Sequence, residues 1–377
     1  MKICLSHTTA FRWLMCRSNP RVGGYHARAV DPGGFAVPSA SQIAHLRAAL
    51  ARAYQCDPVE VGVIEVLVGG PAARRARDGV RVHSCESDLP SGSFVRISID
   101  IDGAECWACA PELVFMQVAG KASDQVEAIG AGMALCSSYR TDRARRWGVA
   151  TREAPDAPLT STARLAAYLG RAKGVTGIGA ASAALPFLLD GSRSPRESHF
   201  AMIFGLPLRL GGFGLKLHRL NPEVPIPIRS GAHAPDRESL RRPDLHFKAC
   251  DAQGRVREAF FDYDADLVHA RGGAKAGRDA SRRNELATLR GIACFSMTSY
   301  QAGDFREIER TAEMIRVALG QRRMPRIVGD PEAPANRQRI EAARSRQFKL
   351  WSRLIGIPNA RYRAEAAQGM ARDPWGT

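Results

Sequence analysis

Hydrophobic and polar positions alternate in the second half of the chain in a pattern that predicts a β-hairpin. Residues 244–250 (DLHFKAC) and 255–263 (RVREAFFDY) are short segments with the aromatic and apolar content of strands. Residues 251–254 (DAQG) between them are typical of a turn. Residues 292–298 (IACFSMT) predict a further, buried strand. These segments indicate a sheet.

Helical periodicity and capping residues predict the elements around this sheet. The predicted helices run from Ser194 to about Phe204, from Asp279 to Arg290, from Phe305 to Leu319 and from Arg337 to Leu354. Helices at about 163–169 and 179–189 form a connector in the first half, and the prolines and glycines of 207–235 indicate irregular loops.

The order helix, hairpin, helix, strand predicts an α/β fold, in which helices flank a mixed sheet and an α+β domain precedes it. The predicted domains are residues 1–185, an α+β domain with its helical connector, residues 186–320, and residues 321–377, a basic helical extension.

Composition narrows the class of protein. The 45% hydrophobic and 24% charged content of the 377 residues is ordinary for a globular protein. No apolar run approaches the ~20 residues that a membrane helix needs, so no membrane partner is expected, and the polar start MKICLSH does not read as a signal peptide. Nine scattered cysteines, an odd number, indicate reduced thiols and a cytoplasmic protein. The oligomeric state is not determined by these features.

Carboxylates begin the first strand and end the second strand of the predicted hairpin, and they indicate a metal site. Asp244 begins the first strand, and Asp262 and Asp264 end the second, although acidic residues are disfavoured in strands. Mg²⁺ prefers oxygen ligands, and one or two carboxylates suffice when water and a substrate phosphate complete its shell. The formal net charge of +16 would attract such a polyanion. The pattern therefore predicts a Mg²⁺ (or Mn²⁺) site that acts on DNA.

These segments resemble the very-short-patch-repair-like branch of the PD-(D/E)XK nuclease superfamily over roughly residues 190–305. The matching elements occur in order: Glu197, Pro243-Asp244-Leu245, the segment Asp262 to His269, Asp279-Ala280-Ser281-Arg282-Arg283-Asn284 and the strand at 292–298. The resemblance implies a restriction-endonuclease-like core for the 186–320 domain and a metal-dependent endonuclease, with defence against foreign DNA as one role.

The resemblance also assigns roles to residues. Asp244, Asp262 and Asp264 would ligate the metal, Glu197 would assist through water or a second ion, and His269 would act as general base or stabilise the phosphate. Arg282 and Arg283 would contact phosphate. The chain departs from the family where Asp262 replaces a glutamate and Asp264 replaces a lysine.

Structural interpretations stay open for Glu197 and for a group of cysteines in the first half of the chain. Glu197 is also placed to close a Ser-x-x-Glu capping box at the start of its helix. His83, Cys85, Cys106 and Cys109 could form a zinc site, but one Cys-x-x-Cys half is weak support, and buried structural cysteine is the commoner case.

The first half of the chain carries a second resemblance, to the region upstream of nuclease-like domains in relatives of abortive-infection antitoxins of type IV toxin–antitoxin systems. It rests on short segments in order: Ser6 to Ala10, Val80 to His83, Leu89 to Phe94, Ala110 to Leu113 and Leu135 to Tyr139. It implies a partner toxin or defence protein. The winged helix that begins many such antitoxins is not expected here, because little sequence precedes Ser6.

Three functions therefore compete: a Mg²⁺-dependent DNA endonuclease, a non-catalytic DNA-binding or antitoxin-like regulator that retains the nuclease fold, and a module that binds a partner protein. The acids Asp244 and Asp264 together with His269 favour the nuclease, whereas Asp262 and the missing lysine motivate the regulator.

Overall fold

The chain divides after Ser194 into two units, each with its own sheet and helices. The computed structural model describes residues 1–17, 31–85, 88–101, 103–145, 147–152, 158–228, 237–264, 291–330 and 333–356. The first unit contains Met1–Ser194, and the second begins at Pro195 and includes the described residues up to 356. Mixed sheets with helices in both units confirm the predicted α/β class.

The first unit has strands and helices in its described part as follows: β1 (Lys2–Leu5), α1 (His7–Cys16), α2 (Ala40–Tyr54), β2 (Ile64–Val68), β3 (Val80–Ser84), β4 (Phe94–Arg96), β5 (Glu105–Cys109), α3 (Pro111–Lys121), α4 (Gln125–Leu135), β6 (Tyr139–Thr141), β7 (Val149–Thr151), α5 (Thr162–Arg171) and α6 (Ile178–Ala184).

Five of its described strands form one mixed sheet in the order β3-β2-β1-β5-β4. β1 is parallel to β5 and antiparallel to β2, and β2 is parallel to β3. Every residue of β2 is buried, including Glu65. A carboxylate in a fully buried strand is costly unless it is paired.

Two helices of this unit are buried over most of their surface. In α4, all residues from Ala128 to Leu135 are buried, and α3 buries most of its length against α1, α4 and α6. The approach of α3 to the start of α6 is close: a Cβ on Gly177 would lie 2.2 Å from the carbonyl oxygen of Met116. The predicted connector helices are found as α5 and as α6, which is followed by a short 3₁₀ turn at Leu185–Phe187.

The second unit has, in its described part, α7 (Pro195–Gly205), β8 (Leu217–Leu220), β9 (Val224–Ile228), β10 (Arg237–Arg241), β11 (Leu245–Cys250), β12 (Val256–Asp264), β13 (Ile292–Thr298), α8 (Ser299–Ala302), α9 (Phe305–Ala318) and α10 (Pro334–Leu354).

The predicted hairpin is present as β11 and β12, which pair antiparallel with Leu245 opposite Phe261. Asp251 holds the turn, because its side chain accepts hydrogen bonds from the backbone N–H groups of Gln253 and Arg255. β13 adds parallel to β12 and β8 adds antiparallel to β11, so the described strands form a mixed sheet in the order β13-β12-β11-β8. The strand predicted at 292–298 is confirmed.

Aromatic side chains join this sheet to α7. Phe200 lies 5.3 Å from Phe261 and 5.0 Å from Tyr263 between ring centroids, and Phe204 lies 5.2 Å from Phe261 and 6.2 Å from Phe247. Side chains alternate between the two faces of a strand. Phe247, Phe261 and Tyr263 therefore lie on the α7 face, and Phe260 and Asp262 lie on the other.

The prediction of irregular loops over 207–235 was wrong for two segments, because β8 and β9 lie there. β9 contains Pro225 and Pro227 and pairs with β10 alone. The two prolines have the same parity, so their missing N–H groups fall on one side, which an edge strand tolerates. Ile226 between them is buried and packs on Phe260.

The C-terminal described helix belongs to the second unit. Trp351 Nε1 donates a hydrogen bond to the carbonyl oxygen of Ala302, and the ring packs with Phe305 and Phe348. None of the helices in the described ranges is long and apolar enough to cross a membrane.

Candidate functional site

Asp244 and Asp262 lie side by side at one end of the second unit's sheet. Asp244 Oδ2 accepts a hydrogen bond from the backbone N–H of Tyr263 at 2.6 Å, and Asp262 Oδ1 accepts one from the backbone N–H of Asp244 at 3.1 Å. Both residues are half-buried. Each carboxylate is thus oriented by a backbone N–H of the neighbouring strand.

Asp264 ends β12 at the same end of the sheet, opposite Thr298 of β13. The alternation of side chains places it on the same face as Asp262. Thr298 caps the short helix α8 through its side chain and Gln301. Asp244, Asp262 and Asp264 therefore lie on one face at this end of the sheet, and their role as a metal site stays a prediction.

Glu197 reaches this end of the sheet through Asn221. Glu197 lies in the first turn of α7 and is 8% exposed, and its Oε2 accepts a hydrogen bond from Asn221 Nδ2 at 2.6 Å. The backbone N–H of Asn221 donates to the carbonyl oxygen of Asp244 at 3.0 Å. Asn221 has a φ of +48°, which is disfavoured for most residues and tolerated best by asparagine among non-glycines. It is a junction residue that sequence reasoning missed.

A second set of ionisable residues, His246, Lys248 and Glu258, lies on the same face of the sheet as Asp244. His246 Nε2 lies 2.9 Å from Glu258 Oε2, and Lys248 Nζ lies 3.0 Å from Glu258 Oε1. Burial lowers the pKa of His246 despite the nearby carboxylate. Partial burial alone would raise the pKa of Glu258, but the hydrogen bonds with Lys248 and His246 lower it. The imidazole is therefore mostly neutral at neutral pH.

Three of the sequence-predicted site residues, His269, Arg282 and Arg283, lie outside the described residues, and so does the predicted helix from Asp279 to Arg290. Their roles remain predictions.

The acids Asp244 and Asp262 fit the small set of protein ligands that Mg²⁺ commonly uses. No three His, Cys, Asp or Glu side chains in the described ranges form a group that could hold a metal ion. Mg²⁺ commonly uses one or two carboxylates with water and substrate phosphate. Asp244 and Asp262 satisfy this, since one oxygen of each is positioned by a backbone N–H and the donor set consists of oxygen.

A second polar cluster lies in the first unit around Glu65. Glu65 Oε1 is 2.5 Å from Lys121 Nζ and 3.1 Å from His83 Nε2, and Glu65 Oε2 accepts from the backbone N–H of Thr8 at 2.8 Å. The His83 ring stacks on His7 at 3.6 Å between centroids. The Glu65 carboxylate thus lies at the amino end of α1, where a negative charge is stabilising.

The charges of this cluster are mutually dependent. Burial would raise the pKa of Glu65, but its hydrogen bonds with His83 and Lys121 hold the pKa well below its usual range. Burial, together with the nearby His83 and Lys121, lowers the pKa of His7 to about 3. The fold therefore keeps Glu65 ionised and His7 neutral around neutral pH.

The zinc alternative is not supported. His83 is engaged with Glu65 and Lys121 rather than with Cys106 or Cys109, which are buried. No metal-holding group is found in the described part of the chain, which contains Cys85 and both of the others. All nine cysteines lie in that part and are present as thiols. Cys106 and Cys109 are buried in β5.

Comparison of the chain with protein-family models, with curated proteins and with solved structures gives no match. Function is therefore inferred from the geometry of each unit. Glu65 could have been found by the signal that singled out Asp244 and Asp262, an acid inside an apolar strand, since residues 64–68 read IEVLV. Asn221 carried no comparable local signal.

Proposed function

We propose that the second unit is a Mg²⁺-dependent (or Mn²⁺-dependent) DNA endonuclease with a restriction-endonuclease-like core of the very-short-patch-repair-like type. The observation that carries the proposal is the pair of hydrogen bonds that sets Asp244 and Asp262 side by side at the sheet end. The order of helix, hairpin and parallel third strand around this pair supports it further.

Asp244 and Asp262 would hold the metal, with Asp264 as an additional ligand or water-orienting group. The ion, when bound, would neutralise phosphate charge and lower the pKa of a water molecule. The protein's part is to fix the two carboxylates, which the backbone N–H groups of Tyr263 and Asp244 do before any ligand arrives. Such preorganisation avoids a reorganisation cost during the reaction.

Glu197 would position this acidic end rather than hold the ion. Its hydrogen bond from Asn221, whose own backbone N–H binds the carbonyl of Asp244, connects the amino end of α7 to the first residue of the hairpin. His269 would accept or donate the proton, and Arg282 and Arg283 would bind phosphate.

For the first unit, we propose a relation to the antitoxin-associated region, with a toxin or defence protein as partner. Two of the segments that carry this resemblance, Ser6 to Ala10 and Val80 to His83, lie together in the fold, because the ring of His7 stacks on the ring of His83 beside Glu65. This contact supports the proposal.

A cleavage assay on supercoiled, linear and single-stranded DNA with Mg²⁺, Mn²⁺ or EDTA tests the nuclease. Asp262→Asn is the sharpest variant, because the amide oxygen can still accept the Asp244 N–H while the charge that binds a cation is lost. We expect cleavage to fall at least ~10²-fold in Asp262→Asn and Asp244→Asn, with His269→Ala lowering the rate by roughly 10²–10⁴-fold. Asp262→Glu should retain activity.

Glu341→Gln is the matched control, since it removes one negative charge from an exposed position of α10. Its cleavage should equal that of the wild type. Activity that persists in both Asp→Asn variants, or that EDTA does not abolish, contradicts the site. Binding of DNA without cleavage by the wild type with either metal would identify the second unit as a non-catalytic regulator.

A further inference from the structure

The basic helix α10 carries its cations on two sides that have different surroundings. Its buried side is formed by residues at helical spacing that pack on the rest of the second unit: Ala343, Gln347, Leu350, Trp351 and Leu354. Arg339 and Arg346 are seven residues apart, and Lys349 follows three residues later, so the three lie along one flank of the buried side. We call Arg339, Arg346 and Lys349 the basic flank.

Among the described residues, the ion pair that α10 makes with an acidic side chain lies on the opposite side of the helix. There Arg344 donates through Nε and Nη2 to the two carboxylate oxygens of Glu309, at 2.6 and 2.9 Å. Glu341, the one acid between residues 334 and 354, also lies away from the basic flank. Arg339 and Lys349 are exposed, and among the described residues neither has an ion pair.

The helix is anchored, so the spacing of these cations is preset. Arg346 Nε donates to the carbonyl oxygen of Leu208 at 3.1 Å while the residue remains exposed, and Trp351 is buried. The Cα atoms of Arg339 and Lys349 are about 15 Å apart along the axis, at ~1.5 Å per residue. A strand of B-DNA has one phosphate per ~3.4 Å of axis, so this length corresponds to roughly four phosphates.

The direction of α10 relates the basic flank to the candidate site. At its carboxyl end, the carbonyl oxygens of Leu354 and Ile355 accept hydrogen bonds from Arg196 Nη1 at 3.4 and 3.2 Å. Arg196 immediately precedes Glu197 in α7, whereas Leu208, which contacts Arg346, follows the carboxyl end of α7. The two helices therefore run antiparallel, and the basic flank leads towards the end of α7 that holds Glu197.

We propose that the basic flank of α10 binds the phosphate backbone of duplex DNA and guides the duplex towards the acidic end of the sheet. This inference rests on the proposed nuclease function for its direction, but the binding itself requires no catalysis. Phosphate contacts of this kind position a duplex without reading its sequence.

The test measures binding of the full-length protein to a fluorescent DNA duplex in EDTA, so that cleavage plays no part. Arg339→Gln with Lys349→Gln removes two cations from the basic flank. The matched control, Arg310→Gln with Arg344→Gln, also removes two cations, but these lie beside Glu307 and Glu309. Net charge changes equally in both double variants. Thermal unfolding of each checks that the fold is retained.

Two lost phosphate contacts should reduce the slope of log affinity against log salt by about 1.8, at ~0.9 per contact. Between about 50 and about 200 mM salt, the wild type should then lose roughly twelvefold more affinity than the flank variant. The control should keep a slope near that of the wild type. Equal slopes in the two double variants would overturn the inference, because net charge alone would then explain binding.

The outcome separates this inference from the proposed nuclease. A reduced slope in the flank variant with no cleavage by the wild type would keep the DNA-binding surface and refute the nuclease. Metal-dependent cleavage that requires Asp262, with identical slopes in all variants, would keep the nuclease and refute the role of α10.

Discussion

Replacing Glu65 by glutamine should destabilise the first unit far more than the same replacement at Glu105 of the same sheet. Glu65 has 5% of its side chain exposed and lies within hydrogen-bond distance of Lys121 Nζ, His83 Nε2 and the N–H of Thr8. Glutamine retains an oxygen for Thr8 but removes the charge that the cations face. Glu105, by contrast, is 43% exposed and pairs with Arg96, which is 54% exposed.

The expected magnitudes follow from burial. Breaking a fully buried ion pair costs about 3–5 kcal/mol, because the remaining charge is left without compensation. Lys121 is 37% exposed and Arg81, at 3.7 Å, is 62% exposed, so both can recover hydration. We therefore expect about 2 kcal/mol for Glu65→Gln, below the fully buried range. Glu105→Gln should cost about 0–1 kcal/mol, as for exposed pairs.

Hydrogen exchange resolved by peptide is the suitable assay, because a two-unit chain need not unfold in one transition. Peptides covering α1, β2 and β3 should exchange faster in Glu65→Gln, whereas Glu105→Gln should resemble the wild type. Peptides of the second unit serve as an internal reference. Equal protection in the two variants would refute the reasoning, because the desolvation of Glu65 would then cancel the attraction of its partners.

Two further predictions concern the first unit. His7 and Glu65 both have lowered pKa values in the fold, so each binds fewer protons there than in the unfolded chain, and the stability they confer is complete above pH about 6.5. That stability should fall as the pH drops, first because His7 becomes protonated in the unfolded chain and then, below about 4.3, because Glu65 does. In denaturation experiments, His7→Asn should flatten the first part of the plot of unfolding free energy against pH. An unchanged plot would contradict this. Gly174 and Gly177 both have a positive φ, but a Cβ would meet only open space at Gly174 and the Met116 carbonyl at Gly177. In hydrogen exchange of peptides from the first unit, Gly174→Ala should therefore cost about 1–2 kcal/mol, and Gly177→Ala at least about 1–3 kcal/mol more. Equal costs would show that α6 can move away from α3.

Local patterns determined the elements that depend on neighbours in the chain. The turn at residues 251–254 and the alternation on either side of it predicted β11 and β12, and with them the proximity of Asp244 and Asp262, because an antiparallel register follows from the turn. The periodicity of residues 305–319 and 337–354 likewise predicted α9 and α10. Bounds differ by a few residues because helix and strand ends depend on local caps.

Tertiary structure decided what depends on distant segments. Asn221 connects Glu197 to Asp244 only because β8 joins β11 across 24 residues of intervening chain. Glu65, His83 and Lys121 meet because β2, β3 and α3 are adjacent in space, although Glu65 and Lys121 are 56 residues apart in sequence. β9 formed where prolines had indicated a loop, because an edge strand with one partner does not need the N–H groups that proline lacks. Periodicity records which side of an element is buried; which element covers it is set by the packing of the whole unit.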